Sequence, residues 1–367
     1  MRNAHSLKKS TATGKMDFWL FATVILFSLF GLLMIFDSSN VSAFRDFADK
    51  YHYVKEQSVW FFLGIFSMLA ISLVSYKVYY RLAIPILVGA ILTLIAVFIP
   101  GIGIKTMGAH RWIGFGSFSF QPSELAKLAL IIYLSAWFSF KERERLRAFL
   151  LLLGVIVGLV VLQPDLGTAI ILCLLFVILY FVSGAPVRQF AMFLPILIAV
   201  LSLLAVISPY RVNRMMTFLN PNQDPLGKSY HLRQILISFG SGGFWGMGLG
   251  ASRQKYQFLP EATTDSIFAI IGEELGFIGT TTVVIFYLFF LHRMFLIVRK
   301  TQDRFSFLLS CGILSYFGLQ IFINLGAMVA LLPLTGVPLP FVSYGGSHLL
   351  ISMSAAGIML NISRHNK

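Results

Sequence analysis

Apolar runs of about 17 to 25 residues recur along this chain, each long enough to cross roughly 30 Å of hydrocarbon as a helix. They fall near residues 18–36, 57–76, 82–100, 122–140, 148–164, 166–187, 189–209, 265–291, 305–333 and 348–363. Backbone groups in lipid must find partners within the protein, which for apolar runs of this length means helices. The sequence therefore predicts an all-α polytopic membrane protein: ten transmembrane helices with a large extracellular loop between helices 7 and 8. Composition agrees, since 57% of the 367 residues are hydrophobic and 12% are charged, too few charges to cover a soluble fold.

The first run, Phe18 to Phe36, follows the basic residues Arg2, Lys8, Lys9 and Lys15, as in a signal peptide. It is too long for a signal core and many spans follow, so an uncleaved first helix is expected. Cys173 and Cys311 both lie in apolar runs, where a thiol is a small hydrophobe. Lys and Arg orient the bundle, because short cytoplasmic loops are enriched in them. With both termini inside, seventeen of the 29 basic residues fall in inner segments and eleven in outer loops, leaving Lys127 within a span. Residues 1–16 and 365–367 are thus expected as cytoplasmic tails of a domain spanning 17–364, with 210–264 outside. The outer cations read either as solvated charges on long loops, which escape the rule, or as a surface for a polyanion such as a diphosphate head group.

Ionisable groups inside spans are costly and mark sites or pathways. Here they are Glu124, Lys127, Asp165, Glu273 and Glu274. Glu124 and Lys127 are three apart and share a helix face. They are either an internal pair that fixes packing or, coming just after the outer stretch Ala109-His110-Arg111-Trp112-Ile113, a phosphate site in the outer leaflet. Within 210–264, Leu232, Ile235, Leu236 and Phe239 have the spacing of a short amphipathic helix lying on the membrane surface. The glycine run from Gly240 to Gly250 follows no predicted strand, so it is not a dinucleotide fingerprint. A flexible or re-entrant apolar loop is the expectation. Asp265 stands at the start of the eighth helix as either its cap or a catalytic base. Residue chemistry alone leaves both open.

Several segments together resemble the SEDS family, which includes FtsW, RodA and SpoVE, over residues 17 to 364. They are Ala109-His110-Arg111-Trp112-Ile113, Phe120-Gln121-Pro122-Ser123-Glu124-Leu125-Ala126-Lys127, Gln163-Pro164-Asp165-Leu166-Gly167-Thr168, Phe258-Leu259-Pro260-Glu261, Gly272-Glu273-Glu274-Leu275-Gly276 and Pro338-Leu339-Pro340-Phe341-Val342-Ser343-Tyr344-Gly345-Gly346-Ser347. Arg253-Gln254-Lys255-Tyr256 and the ending Gly357 to Arg364 look more like the FtsW branch than the RodA branch. Two positions depart from the family pattern: Thr263-Thr264-Asp265-Ser266 replaces the usual His-Thr-Asp-Phe, and His348 stands where a second Ser is usual. The resemblance implies a peptidoglycan glycosyltransferase at the outer face of the cytoplasmic membrane that polymerises lipid II during cell division. It implies Asp265 as the essential carboxylate and Glu124, Lys127 and Asp165 at the outward cavity. Arg111, Trp112, Lys255 and Ser347 complete the expected substrate-binding set.

The resemblance also implies work with a class B penicillin-binding protein, since such chains lack a transpeptidase domain. Further expected partners are the nascent glycan strand, other division proteins and membrane lipids, with no nucleic acid. Mg²⁺ or Mn²⁺ bound with the substrate diphosphate is compatible with the sequence, needing only one or two carboxylates. A lipid II flippase is the competing reading, but it would favour internal repeats and groups reachable from both sides; a silent division scaffold is a third. Single cysteines test the orientation: Ser229→Cys is expected to react with an impermeant thiol reagent from outside, and Glu142→Cys only after permeabilisation. Labelling of position 142 in intact cells would overturn it.

Overall fold

The computed structural model describes residues 14–106, 109–115, 118–139, 146–189, 191–195, 209–219, 229–256 and 258–365, and positions 199, 202, 224 and 227. Its elements are α1 (Phe18–Phe47), α2 (His52–Leu73), α3 (Lys77–Ala96), β1 (Gly103–Thr106), β2 (Ala109–Phe115), β3 (Phe118–Phe120), α4 (Pro122–Phe138), α5 (Leu146–Leu162) and α6 (Leu166–Val182). Then come α7 (Pro209–Leu219), α8 (Tyr230–Gly242), α9 (Ile267–Lys300), α10 (Arg304–Met328) and α11 (Gly346–His365). Helices α1, α2, α3, α9, α10 and α11 are long and apolar enough to cross a membrane, and α5 and α6 are shorter apolar helices. The chain is mostly helical and built as a multi-pass membrane protein. The expected span at 189–209 lies largely outside the described residues.

The all-α expectation needs one correction. Between α3 and α4 the chain forms a three-stranded antiparallel sheet in the order β1-β2-β3, with Gly103 opposite Ile113 and Ile113 opposite Phe120. Its strands are three to seven residues long, too short for a period to stand out in a glycine-rich sequence. A second difference is at α1, which continues past Phe36 through Asp37, Ser38 and Ser39 to Phe47. The Ser38 hydroxyl folds back onto the Met34 carbonyl at 2.7 Å, so polar residues prolong the helix without an orphaned donor. Left-handed Ala48 (φ 55°) ends it, its N–H returning to the Phe44 carbonyl.

Helix α11 is the inner post of the bundle, with every residue from Ser347 to Ile362 buried except the half-buried Leu350. Close approach to α2 depends on Gly357, where a Cβ would lie 2.6 Å from the Met68 carbonyl oxygen. Asn361 finishes the contact by donating to the Ser72 carbonyl at 2.8 Å and accepting from the Tyr76 N–H at 2.8 Å. Without Asn361 the Tyr76 N–H would be buried without a partner, at a cost of about 1–3 kcal/mol.

Helix α9 is broken at Gly276 (φ 64°, ψ −161°). The break frees backbone groups, and the glycine run answers them. Met247 and Gly248 N–H groups donate to the Glu273 and Glu274 carbonyls at 3.0 Å each, and the Phe277 N–H donates to the Gly243 carbonyl at 2.9 Å. Only bare backbones fit: a Cβ on Gly246 would sit 2.1 Å from the Glu274 carbonyl oxygen, and one on Gly276 would sit 2.3 Å from the Gly246 nitrogen. The glycine run is thus a fitted loop seated on the broken helix. Gly276→Ala places a side chain in a backbone region that is nearly glycine-only and is expected to cost about 1–3 kcal/mol or more. Gly318→Ala on α10, where a new Cβ meets nothing within 4 Å, is the control. Thermal unfolding in detergent should separate them, and equal melting would refute the fitted loop.

Candidate functional site

Asp265 lies two residues before α9, on a segment tied down from several sides. The Asn324 side-chain amide of α10 donates both to the Asp265 carbonyl at 2.9 Å and to the Val337 carbonyl at 2.8 Å. The Tyr344 N–H donates to the Thr263 carbonyl at 2.9 Å, and the Ser343 hydroxyl to that of Thr264. The cap alternative is corrected here: the cap position is Ser266, and no side chain makes a capping bond to the helix N–H groups there. The Asp265 carboxylate instead accepts the Thr264 hydroxyl at 3.1 Å, the same hydroxyl that donates to Glu261 Oε2 at 2.8 Å. It is buried, and burial raises its pKa above the ordinary aspartate value, against its own backbone N–H, Thr264 and the positive charge of Arg214.

Beside it is a cavity of about 220 Å³ between α7, α8 and the chain at Leu332–Leu334. Arg214 enters from α7 and donates to the Leu334 carbonyl at 2.7 Å. His231, on α8, meets the Ser266 hydroxyl through Nε2 at 2.8 Å. Burial first, and then Arg214, push the imidazole down to about 4, so it is neutral at physiological pH. The sequence reading missed both residues. The only signal was the helical spacing of Leu232, Ile235 and Phe239, which forecast α8 and, with it, a fixed place for His231; Leu232 and Ile235 are buried, whereas Leu236 is exposed.

Most of the remaining expected residues meet in a second group. Lys127 Nζ lies 2.8 Å from Glu124 Oε1, and His348 Nδ1 lies 3.0 Å from Glu124 Oε2, all three buried. Tyr316 adds its hydroxyl at 3.4 Å from Glu124 Oε2 and its ring 5.4 Å from the ammonium. Next to His348, the Ser347 hydroxyl accepts the Gln121 N–H at 3.2 Å, and the Gln121 amide reaches Asp165 at 3.5 Å. Asp165 is the N-cap of α6, taking the Thr168 N–H at 3.1 Å and hydroxyl at 2.8 Å. Arg111, on β2, donates to the Gln163 carbonyl at 3.0 Å and to that of Pro164, fastening the sheet to the turn before Asp165. Trp112 is half-buried in the same strand, opposite Ile104.

Lys255 belongs elsewhere. Its ammonium lies 2.9 Å from Asp37 on α1, 3.2 Å from Glu274 on α9 and 2.7 Å from the Gly250 carbonyl, and it is buried. Burial works against its charge, but Asp37 and Glu274 outweigh it, so its pKa is raised. Ser252 and the neighbouring N–H groups engage Glu273. This cluster locks the glycine loop to two helices. Among the described residues, no group of three or more His, Cys, Asp or Glu side chains has the arrangement of a metal cage.

Among the described residues, six helices long and apolar enough to cross a membrane, together with buried, hydrogen-bonded carboxylates, define a polytopic membrane protein. A family model described as cell cycle protein, FtsW/RodA/SpoVE, matches residues 17–367, and the chain belongs to that family. It is 36% identical over 358 residues to the "probable peptidoglycan glycosyltransferase FtsW" of Geobacter metallireducens, covering 96% of this chain and 95% of the relative. It is 37% identical over 357 residues to the stage V sporulation protein E of Bacillus subtilis, covering 96% and 98%. Among solved structures, a chain from a peptidoglycan synthase complex that coordinates polymerization and crosslinking superposes with a TM-score of 0.78 at 27% identity, covering 95% and 98%. The Thermus thermophilus rod shape determining protein RodA gives 0.70 at 27%, covering 96% and 97%.

The Glu124 carboxylate is held by a cation and a histidine in a buried place, so losing one partner leaves an uncompensated charge. Lys127→Met is expected to destabilise the protein by about 3–5 kcal/mol, with Glu124→Gln/Lys127→Met recovering much of the loss. Thermal unfolding of the single and double variants measures this. A single variant that melts like the parent would show that the pair does not hold the helices.

Proposed function

We propose that the chain is a peptidoglycan glycosyltransferase that polymerises lipid II into glycan strands at the outer face of the cytoplasmic membrane during cell division. The observation that carries the mechanism is the Asp265 carboxylate. It is buried at a helix start without capping the helix, and no ion pair among the described residues neutralises it. In the same reading the domain spans residues 17–364 with ten transmembrane helices. The tails 1–16 and 365–367 are cytoplasmic, and 210–264 is the large outer loop, carrying α7, α8 and the glycine run.

The reaction joins the 4-hydroxyl of an acceptor GlcNAc to C1 of a donor MurNAc. Asp265 takes the hydroxyl proton as the O4–C1 bond forms, and the C1–oxygen bond breaks with its electron pair leaving on undecaprenyl diphosphate. One base suffices, because diphosphate departs without protonation if its charge is stabilised. A single displacement turns an α-linked donor into a β-linked product. Arg111 and Lys127 are the candidate diphosphate-binding cations, with Trp112, Ser347, Glu124 and Asp165 shaping the site between them and Lys255 bracing the glycine loop. The arrangement supports indirect roles for Glu124 and Asp165, since each carboxylate oxygen already has a partner.

The donor set fits a divalent ion only as a companion of the diphosphate, with Glu261 and Asp265 the two carboxylates at hand on either side of Thr264. Such an ion would supply charge neutralisation to the leaving group. A class B penicillin-binding protein is the proposed partner, supplying the transpeptidase; a relative solved within a synthase complex supports this.

Asp265→Asn, nearly isosteric, is expected to fold and bind the partner but to lose about 10²-fold or more in lipid II polymerisation. The assay uses purified protein and partner in detergent, where a flippase or scaffold makes no glycan. Because burial raises the Asp265 pKa, the base is ionised only above that raised value, and activity falls as pH drops through it. The acid limb of kcat/KM should therefore lie above the ordinary aspartate range. Near-normal polymerisation by Asp265→Asn would move the base to Glu261.

A further inference from the structure

The cavity between α7, α8 and Leu332–Leu334 has walls in His231 and Arg214, which are bonded to Ser266 and Leu334, and has no part in the proton transfer just described. We propose that it is the subsite for one N-acetylhexosamine ring, that of the acceptor whose hydroxyl Asp265 deprotonates, with Arg214 and His231 as hydrogen-bonding residues; this rests on the glycosyltransferase reading above. Size is the first argument. At about 220 Å³ the space is below the roughly 300 Å³ at which pockets for larger ligands begin, a size that suits one ring.

Chemistry is the second. A pyranose has apolar C–H faces and a polar rim, and the cavity offers Phe218, Leu332 and Pro333 for the faces and Asn213, Thr217 and His231 for the rim. A diphosphate calls for several cations. Among the described residues of the lining Arg214 is the single Lys or Arg, and the imidazole beside it is neutral, which suits an uncharged ligand. His231 Nε2 is engaged by Ser266, leaving its other ring nitrogen for the ligand.

Placement is the third argument. Ser266, which holds His231, follows Asp265 directly. The Leu334 carbonyl, which holds Arg214, lies two residues before Gly336, where a Cβ would come within 3.8 Å of Asp265 Oδ2. The same two short segments therefore hold both the cavity wall and the carboxylate, which puts a ring bound there near the base.

Steady-state kinetics with lipid II, on protein purified with its transpeptidase partner, test the proposal. Arg214→Gln and His231→Phe are expected to raise KM about tenfold or more with kcat within about threefold, the signature of lost substrate binding. His231→Gln should restore part of the loss. Asn213→Trp, which fills the cavity from a half-buried position, should do the same as the deletions, and it decides the matter if either of the first two fails to fold. Unchanged KM in folded, partner-bound Asn213→Trp protein would overturn the subsite, as would a loss confined to kcat. Normal turnover by Asp265→Asn would instead sink the assignment of the base and is read independently of KM.

Discussion

The Asn324 side-chain amide joins the two pieces of chain on which the site depends. One amide group donates to the carbonyls of Asp265 and Val337, so a helix start and a distant loop are fixed to the same point of α10. Neither segment has regular structure that could hold it alone. The bond is buried, and there an amide without its acceptors would cost more than the bond itself contributes. This asymmetry fixes the position of Asp265, and through Val337 it also fixes the approach of Gly336 to the carboxylate. The geometry of the base is set from α10, not from the helix that follows it.

Elsewhere the protein tolerates charge in apolar surroundings by gathering it into small groups in which each cation meets more than one partner. Glu124 with Lys127 and His348 joins α4 to α11, and Lys255 with Asp37 and Glu274 joins the glycine loop to α1 and α9. Each group ties together elements far apart in sequence, the use to which buried polar contacts are best suited, because a mismatched pairing leaves a charge unmatched. His348 extends this economy. It stands where the family more often has a serine, and it occupies the second oxygen of Glu124 at 3.0 Å.

The helical plan was legible because hydrocarbon thickness imposes a minimum length on a span; nine of the ten expected runs overlap described helices, and six of those helices are long and apolar enough to cross a membrane. Asp265, Glu124 and Lys127 were visible because charges are rare in such runs. What stayed hidden follows from long-range contacts. No local pattern distinguishes Arg214 from the other cations of its loop, since its role comes from a carbonyl 120 residues away. Likewise the cap and base readings of Asp265 could not be separated in the sequence, because the choice turns on which way a carboxylate points. The small sheet escaped notice since its strands are short and contribute only Ala109 and Ile113 to the buried interior, too few for an alternating pattern to show.

The pairing of the glycine run with the break in α9 also bears on how the chain reaches the membrane. The piece of α9 before Gly276, Ile267 to Leu275, would reach only about 13 Å at 1.5 Å per residue, less than half the hydrocarbon layer. At its end, the carbonyls of Glu273 and Glu274, which the break leaves without helix donors, would enter lipid unpaired, an expensive state for a nascent segment. Their donors, Met247 and Gly248, lie upstream, so they have left the ribosome before the helix that needs them. Loop and helix can therefore enter the bilayer as one hairpin-like unit while α10 is still being made. An insertion lengthening the stretch between Gly250 and Asp265 would then act first on the efficiency of membrane integration, before any effect on the finished site.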